Sequence, residues 1–321
     1  MSSKPVVVVG RKLPESVEER LSRDYDPRFN EDDRVYSADE LVELCDGADA
    51  ILPAHSEVLS AEVIERLPDS VKAICNFSVG VDHVDLDAAK ERGIIVTNTP
   101  DVLSDATAEI AMLLMLGAAR RASEGDRLVR SGEWKTWSPS FMVGKQVTGK
   151  RFGVVGMGRV GQVAAERARG FDMEIHYHNR NRLAQEKEKG ANFHEKLEDL
   201  LAKADVLSLH CPATPETRKL LNEEAIACLP EDAIVVNTAR GALVDDDALI
   251  AALKDGRVRA AGLDVFDGEP DIDSRYRELD NVFLLPHIGS ATEETREAMG
   301  FRALDNMDAI FAGKDPKDRV A

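Results

Sequence analysis

The chain has 321 residues, and its 59 Asp and Glu outnumber 41 Lys and Arg to give a formal net charge of -18. That length exceeds a usual single core and points to two domains, for which 43% hydrophobic residues supply enough apolar material. The acidic balance argues against non-specific binding to nucleic acid or to an anionic membrane, which needs a basic patch, and any anionic ligand requires a local positive pocket.

Short apolar runs bounded by turn residues begin at once: PVVVV (5–9), ADAILPA (48–54), VKAICNF (71–77) and GIIVTNT (93–99). A long helical region follows, roughly 104–131, with Ser104 as a candidate N-cap, and then the loop SGEWKTWSPSFMVGKQVTGK. A second set of runs is RFGVVG (151–156), MEIHYHN (173–179), ADVLSLH (204–210), DAIVVNT (232–238), AAGLDVF (260–266) and NVFLLPH (281–287). These β-branched runs lack polar alternation, as parallel strands covered on both faces should. Helical stretches such as SADELVELC and DDALIAALKDG lie between them. The predicted fold class is therefore α/β, with two doubly wound parallel-sheet domains of Rossmann-like type. The closing stretch ATEETREAMGFRALDNMDAIFAG is helical and predicted to return to the N-terminal set, making that domain discontinuous.

Cys45, Cys75, Cys211 and Cys228 are widely spaced with no C-x-x-C pair, the usage of reduced thiols in a cytosolic protein. The N-terminal apolar run is too short for a signal peptide, and IAMLLMLGAA (110–119) is about half a membrane span. The expectation is a soluble cytoplasmic protein.

Gly156, Gly158 and Gly161 form G-x-G-x-x-G directly after one predicted strand and before a helix. In that context the pattern reads as a dinucleotide turn, with Arg159 and Val160 opening a helix whose N–H groups face a pyrophosphate. An acidic residue about 20 positions on usually holds the adenosine ribose. Here the chain places Asn179, Arg180, Asn181 and Arg182. Loss of the carboxylate removes repulsion of a 2'-phosphate, and Arg180 and Arg182 supply guanidinium groups suited to phosphate. The predicted cofactor is NADP(H), with NAD(H) as the alternative. His176 and His178 share one strand face, but no further ligand at complementary spacing supports a metal.

Arg240, Glu269 and His287 each follow the C-terminal end of a predicted buried strand, the edge where open α/β sheets hold ligands. Reduction of a ketone needs a hydride, a proton for the developing alkoxide, and a cation to hold the substrate. His287 can donate the proton, Glu269 can orient the imidazole and favour its charged form, and Arg240 can hold carboxylate and carbonyl oxygens.

Together with GMGRVG, the segments HCPATPETRKLLN, VNTARGALVDDDALIAAL, AGLDVFDGEP and LLPHIGSAT resemble the D-2-hydroxyacid dehydrogenase family over essentially the whole chain. The resemblance implies a flavodoxin-like substrate domain (1–100 plus 288–321) and a dinucleotide-binding domain (101–287), with the active site in the cleft between them and a dimerisation region at about 104–148. It makes Arg240, Glu269 and His287 the catalytic triad. It implies further cofactor contacts at Thr107, Cys211, Pro212, Thr217, Thr238, Ala239, Asp264 and Gly289, with Asp264 facing the nicotinamide carboxamide. NFSVGVDHVD matches the family's carboxylate-binding loop, which points to the N–H groups of Val79 and Gly80, with Ser290 and His55 as further substrate contacts. SGEWKTWSP is similar to the tryptophan loop of glyoxylate/hydroxypyruvate reductases, so Trp137 is expected to reach the partner's active site in a homodimer, with Trp134 structural. The leading expectation is NADPH-dependent reduction of glyoxylate or hydroxypyruvate. Two alternatives stand beside it: an NAD-linked dehydrogenase for a larger D-2-hydroxy acid, and a nucleotide-sensing binding protein without turnover.

Overall fold

The computed structural model describes residues 4–321. They form two compact units, one running to Leu103 and completed by Ala291–Ala321, the other Ser104–Ser290.

In the first unit the strands β1 (Val6–Val9), β2 (Asp26–Arg28), β3 (Ala50–Leu52), β4 (Ala73–Cys75) and β5 (Ile95–Thr97) are parallel, in the order β2-β1-β3-β4-β5. The crossovers are α1 (Glu15–Asp24), α2 (Ala38–Leu44), α3 (Ala61–Arg66) and α4 (Leu86–Glu91). Ser37 and Glu40 close a capping box on α2, and Ser60 and Asp85 cap α3 and α4. Successive strand side chains point to opposite faces. Val7 and Val9 join a core with Val17, Leu21, Met299 and Leu304, while Val8 joins another with Leu41, Ile64 and Ala89. Two-sided burial is why the run carries no polar alternation. The helix Glu293–Phe311 closes the first of these cores through Met299, Ala303, Leu304 and Met307, so the chain's last helix does pack on the N-terminal set.

The second unit opens with α5 (Ser104–Ala119) and α6 (Ala122–Arg130). Then come β6 (Arg151–Val155), α7 (Arg159–Arg169), β7 (Glu174–His178), α8 (Gln185–Glu188), β8 (Asn192–His194), α9 (Leu197–Leu201) and β9 (Val206–Leu209). It finishes with α10 (Glu223–Cys228), β10 (Ala233–Asn237), α11 (Asp246–Asp255), β11 (Val258–Leu263) and β12 (Val282–Leu284). All seven strands are parallel in the order β12-β11-β10-β9-β6-β7-β8. Strand order reverses between β6 and β9, the switch point at whose carboxyl ends open α/β sheets hold ligands.

The helical region after residue 104 differs from expectation. It is two helices, broken at Arg121, whose φ of 57° is left-handed. Ser104 is the first residue of α5 rather than its cap. Among the described residues no helix is long and apolar enough to cross a membrane.

Candidate active site

The dinucleotide turn is shaped by steric demand. Gly156 has φ 93°, and a Cβ there would lie 2.5 Å from the Cys211 nitrogen; one on Gly161 would lie 2.3 Å from the Gly156 carbonyl oxygen. Only glycine fits either place. Gly158 precedes α7 with no side-chain cap, and a Cβ there would meet nothing within 4 Å. The first N–H groups of α7, from Arg159 and Val160 onward, lie at the positive end of an eleven-residue helix. An anionic pyrophosphate fits this arrangement.

Asn179 follows β7 and turns back to the same loop, its Oδ1 accepting from the Met157 N–H at 2.7 Å. The two arginines beyond it have different surroundings. Arg180 is exposed and makes no ion pair among the described residues. Arg182 forks onto Glu188, with Nε and Nη2 donating to Oε1 and Oε2 at 2.7 and 3.0 Å, and its guanidinium lies 5.6 Å from the centre of the Phe193 ring. Tyr177 donates its hydroxyl to the same carboxylate at 2.6 Å and accepts from the Leu183 N–H. Glu188 is 5% exposed, and Arg182 and Tyr177 together hold its carboxyl down to about 2. His176 and His178 turn toward β8: His176 Nδ1 is 2.9 Å from His194 Nε2, and His178 Nδ1 is 3.0 Å from the His194 carbonyl oxygen.

The three polar residues at strand ends are set by short connections. Asn237, the last residue of β10 and fully buried, donates to the Arg240 carbonyl at 2.8 Å and accepts from the Ala239 N–H at 3.0 Å. This clamps the Thr238–Arg240 turn. A Cβ on Gly241 would fall 1.8 Å from the Phe266 carbonyl carbon, so only glycine lets the Arg240 segment lie against the chain leading to Glu269. Phe266 N–H donates to Glu269 Oε2, and Glu269 Oε1 meets His287 Nδ1 at 2.5 Å. That distance is a charge-assisted hydrogen bond and fixes which imidazole nitrogen is turned away from the carboxylate: Nε2.

Asp264 lies at the end of β11, 1% exposed. Its oxygens accept from Ile288 and Gly289 N–H at 2.8 and 2.7 Å, while its carbonyl accepts from His287 N–H. Burial raises its pKa despite those donors. It therefore organises the His287 loop, and the space around Gly289 is shared with Thr107; Ser290 is the next residue of that loop. Thr217 Oγ1 donates to the Pro212 carbonyl, tying down the turn after Cys211, whose thiol burial pushes up to about 11.

Sequence reasoning passed over His210. Its Nε2 is 2.8 Å from Ser208 Oγ and its Nδ1 3.4 Å from Thr238 Oγ1, and enclosure pushes it down to about 4. This neutral imidazole joins the ends of β9 and β10; the signal was present, because it falls one residue past the apolar run of β9.

In the first unit, the loop 76–85 presents its backbone. The carbonyls of Ser78, Val79 and Gly80 accept from Thr99 N–H (2.9 Å), Asn98 Nδ2 (2.8 Å) and Ser78 Oγ (2.7 Å). Among the described residues the Val79 and Gly80 N–H groups make no hydrogen bond. His55 Nε2 lies 3.2 Å from Asp82 Oδ2, and its ring centre 5.3 Å from that of His83, whose Nε2 is 2.9 Å from Asn76 Oδ1. Trp137 is 72% exposed and Trp134 55%, the latter donating its indole N–H to the Thr136 carbonyl.

The glycine turn between β6 and α7, the clamped Arg240 segment and the Glu269–His287 hydrogen bond suit a nicotinamide-nucleotide-dependent oxidoreductase, the class to which the chain's relatives belong. Residues 112–289 match the D-isomer specific 2-hydroxyacid dehydrogenase family, NAD binding domain. The chain is 46% identical to a glycerate dehydrogenase of Hyphomicrobium methylovorum over 98% of both chains. It is 43% identical to a glyoxylate reductase of Pyrococcus furiosus over 99% of this chain and 95% of that one. Among solved structures it resembles the NADPH-dependent glyoxylate/hydroxypyruvate reductase of Sinorhizobium meliloti in complex with NADP and malonate. That likeness has a TM-score of 0.88 at 31% identity and covers 99% and 97% of the two chains. The chain belongs to the D-isomer specific 2-hydroxyacid dehydrogenase family, whose chemistry interconverts 2-oxo and 2-hydroxy acids.

Proposed function

We propose that the protein is an NADPH-preferring reductase of a small 2-oxo acid, glyoxylate or hydroxypyruvate. The observation that carries this reading is the exposed Arg180 beside a turn where the usual ribose-binding carboxylate is replaced by Asn179. Both changes favour a 2'-phosphate over bare ribose hydroxyls. The relatives named for glyoxylate reduction support the substrate class.

When bound, the nicotinamide supplies the hydride. The chain's own residues do the rest. Arg240 holds the substrate's carbonyl and carboxylate oxygens and stabilises charge as it develops on the alkoxide. His287 donates the Nε2 proton to that alkoxide and is left neutral, its Nδ1–H still held by Glu269. A proton from water recharges it. Val79 and Gly80 N–H groups receive the carboxylate, with Ser290 and His55 as further substrate contacts. Thr107, Cys211, Pro212, Thr217, Thr238, Ala239, Asp264 and Gly289 form the cofactor's surround. Trp137, too exposed to belong to any core, closes the pocket of a second copy in a homodimer.

Replacing Arg240 with Ala tests the scheme. Turnover should fall by orders of magnitude while NADPH still binds; an unchanged kcat/KM removes Arg240 from the mechanism.

A further inference from the structure

We infer that Asn98 is a positioning residue for the substrate carboxylate, and that a partly buried ionic cluster at Arg302, Asn306 and Asp318 acts on carboxylate affinity through it. This rests on the reading of Val79 and Gly80 as carboxylate donors and extends it to residues on three other segments of the first unit.

A trans peptide is planar, so the carbonyl of one residue and the N–H of the next point in opposite directions. Whatever pins the Val79 carbonyl therefore aims the Gly80 N–H the other way. That pin is the Asn98 side-chain amide, donating at 2.8 Å. The Ser78 carbonyl, pinned by Thr99 N–H at 2.9 Å, aims the Val79 N–H in the same manner. The second pin is backbone, locked by position. The first is a side chain and can be altered alone.

Asn98 is itself held. Its N–H donates to the Asp318 carbonyl at 3.2 Å, and its carbonyl accepts from Asn306 Nδ2 at 3.3 Å. Asn306 also donates to Asp318 Oδ2 at 3.0 Å and accepts from the Asp318 N–H at 3.2 Å. Arg302 forks onto the same carboxylate, Nε to Oδ2 at 2.5 Å and Nη2 to Oδ1 at 2.8 Å. Asn306 is 2% exposed and Asp318 8%, while the Arg302 side chain keeps 19% of its surface, so the carboxylate of this pair is largely removed from water and both its oxygens are met by protein. The Arg302 guanidinium holds the Asp318 carboxyl below the ordinary range. Networks of this kind have few alternative geometries, and a donor aimed by one is ready for an anion before it arrives. The same segment adds a strand-like edge to β5: Val320 N–H donates to the Val96 carbonyl, and Val96 N–H donates to the Ala321 carbonyl.

Steady-state kinetics with glyoxylate and NADPH, and binding of oxalate to the NADPH-bound enzyme, test the inference. Asn98→Ala should raise the glyoxylate KM and the oxalate Kd about tenfold, the scale of one misdirected hydrogen bond to a charged group. The NADPH KM should be unchanged and kcat altered by less than about threefold. Asp318→Asn should raise both carboxylate constants about threefold, and adding it to Asn98→Ala should raise them no further, because both act through one amide. Unchanged oxalate affinity in a folded Asn98→Ala enzyme overturns the inference, as do losses that are additive or that fall equally on NADPH. Should Asn98→Ala not fold, Asn98→Ser and Asp318→Asn decide between the same outcomes. If wild-type enzyme does not bind oxalate at all, the Val79–Gly80 reading fails first and takes the inference with it.

Discussion

Arg180 and Arg182 look alike in sequence and are separated by structure, so replacing each with Ala should give different kinetic signatures. Arg180 is exposed and unengaged by any ion pair among the described residues. A unit charge pair about 4 Å apart is worth about 1 kcal/mol in water and about 4 at an effective dielectric of 20. A 2'-phosphate carries more than one charge, while solvent and salt screen an exposed site. A working figure of about 2 kcal/mol corresponds to roughly thirtyfold. Arg180→Ala should therefore lower kcat/KM for NADPH roughly thirtyfold and leave NADH within about twofold. Arg182 is committed to Glu188, and its loss would leave a nearly enclosed carboxylate with only Tyr177. That loosens the whole Asn179–Leu183 segment, so Arg182→Ala should weaken NADPH and NADH alike. Initial rates with both cofactors supply the assay, and the NADPH/NADH ratio is the readout. A ratio unmoved by Arg180→Ala, or moved as far by Arg182→Ala, would remove Arg180 from 2'-phosphate recognition.

With His287 as the proposed acid, reduction would need its imidazole charged and oxidation would need it neutral, so the two directions should show opposite pH trends. Both should collapse in His287→Asn, and pH-independent rates with chemistry limiting would remove His287 as the acid. His210, held at about 4 when folded against about 6.5 unfolded, contributes stability that is complete above 6.5 and lost as pH falls toward 4. The shift corresponds to about 3 kcal/mol, and denaturant titrations of His210→Asn should show a flatter pH dependence in that window. Trp137→Ala should lower kcat/KM for the oxo acid while NADPH binding and the association state measured by sedimentation stay as they were; an unchanged kcat/KM would remove the residue from the pocket.

Much of this fold was legible because parallel strands buried on both faces leave an unbroken apolar run. Val7 and Val9 face one core and Val8 the other, and PVVVV announces both. The strands that escaped notice were β2 and β8, at sheet edges, where only three residues pair and one flank is free. Asp26-Pro27-Arg28 and Asn192-Phe193-His194 have no apolar signature because nothing demands one, and an edge tolerates the proline. The break at Arg121 was hidden as well, because a left-handed arginine leaves no glycine to mark it.

In the proposed site, the glycines and strand-end polar residues stand out by position, because each directly follows an apolar run at the carboxyl edge of the sheet. The supporting residues could not. Glu188 lies six residues beyond Arg182 in a run of exposed charges, and only the fold shows that it turns inward. Asn98 and Asp318 are 220 residues apart in the sequence, and no local pattern links them.

The most direct test of the proposed reductase is a set of initial rates for wild-type protein with glyoxylate, hydroxypyruvate and pyruvate, each with NADPH and with NADH. Rapid oxidation of NADPH with glyoxylate or hydroxypyruvate is expected, with much slower rates for NADH. A preference for NADH contradicts the role given to Arg180, and cofactor binding without turnover of any of the three acids contradicts the reductase itself.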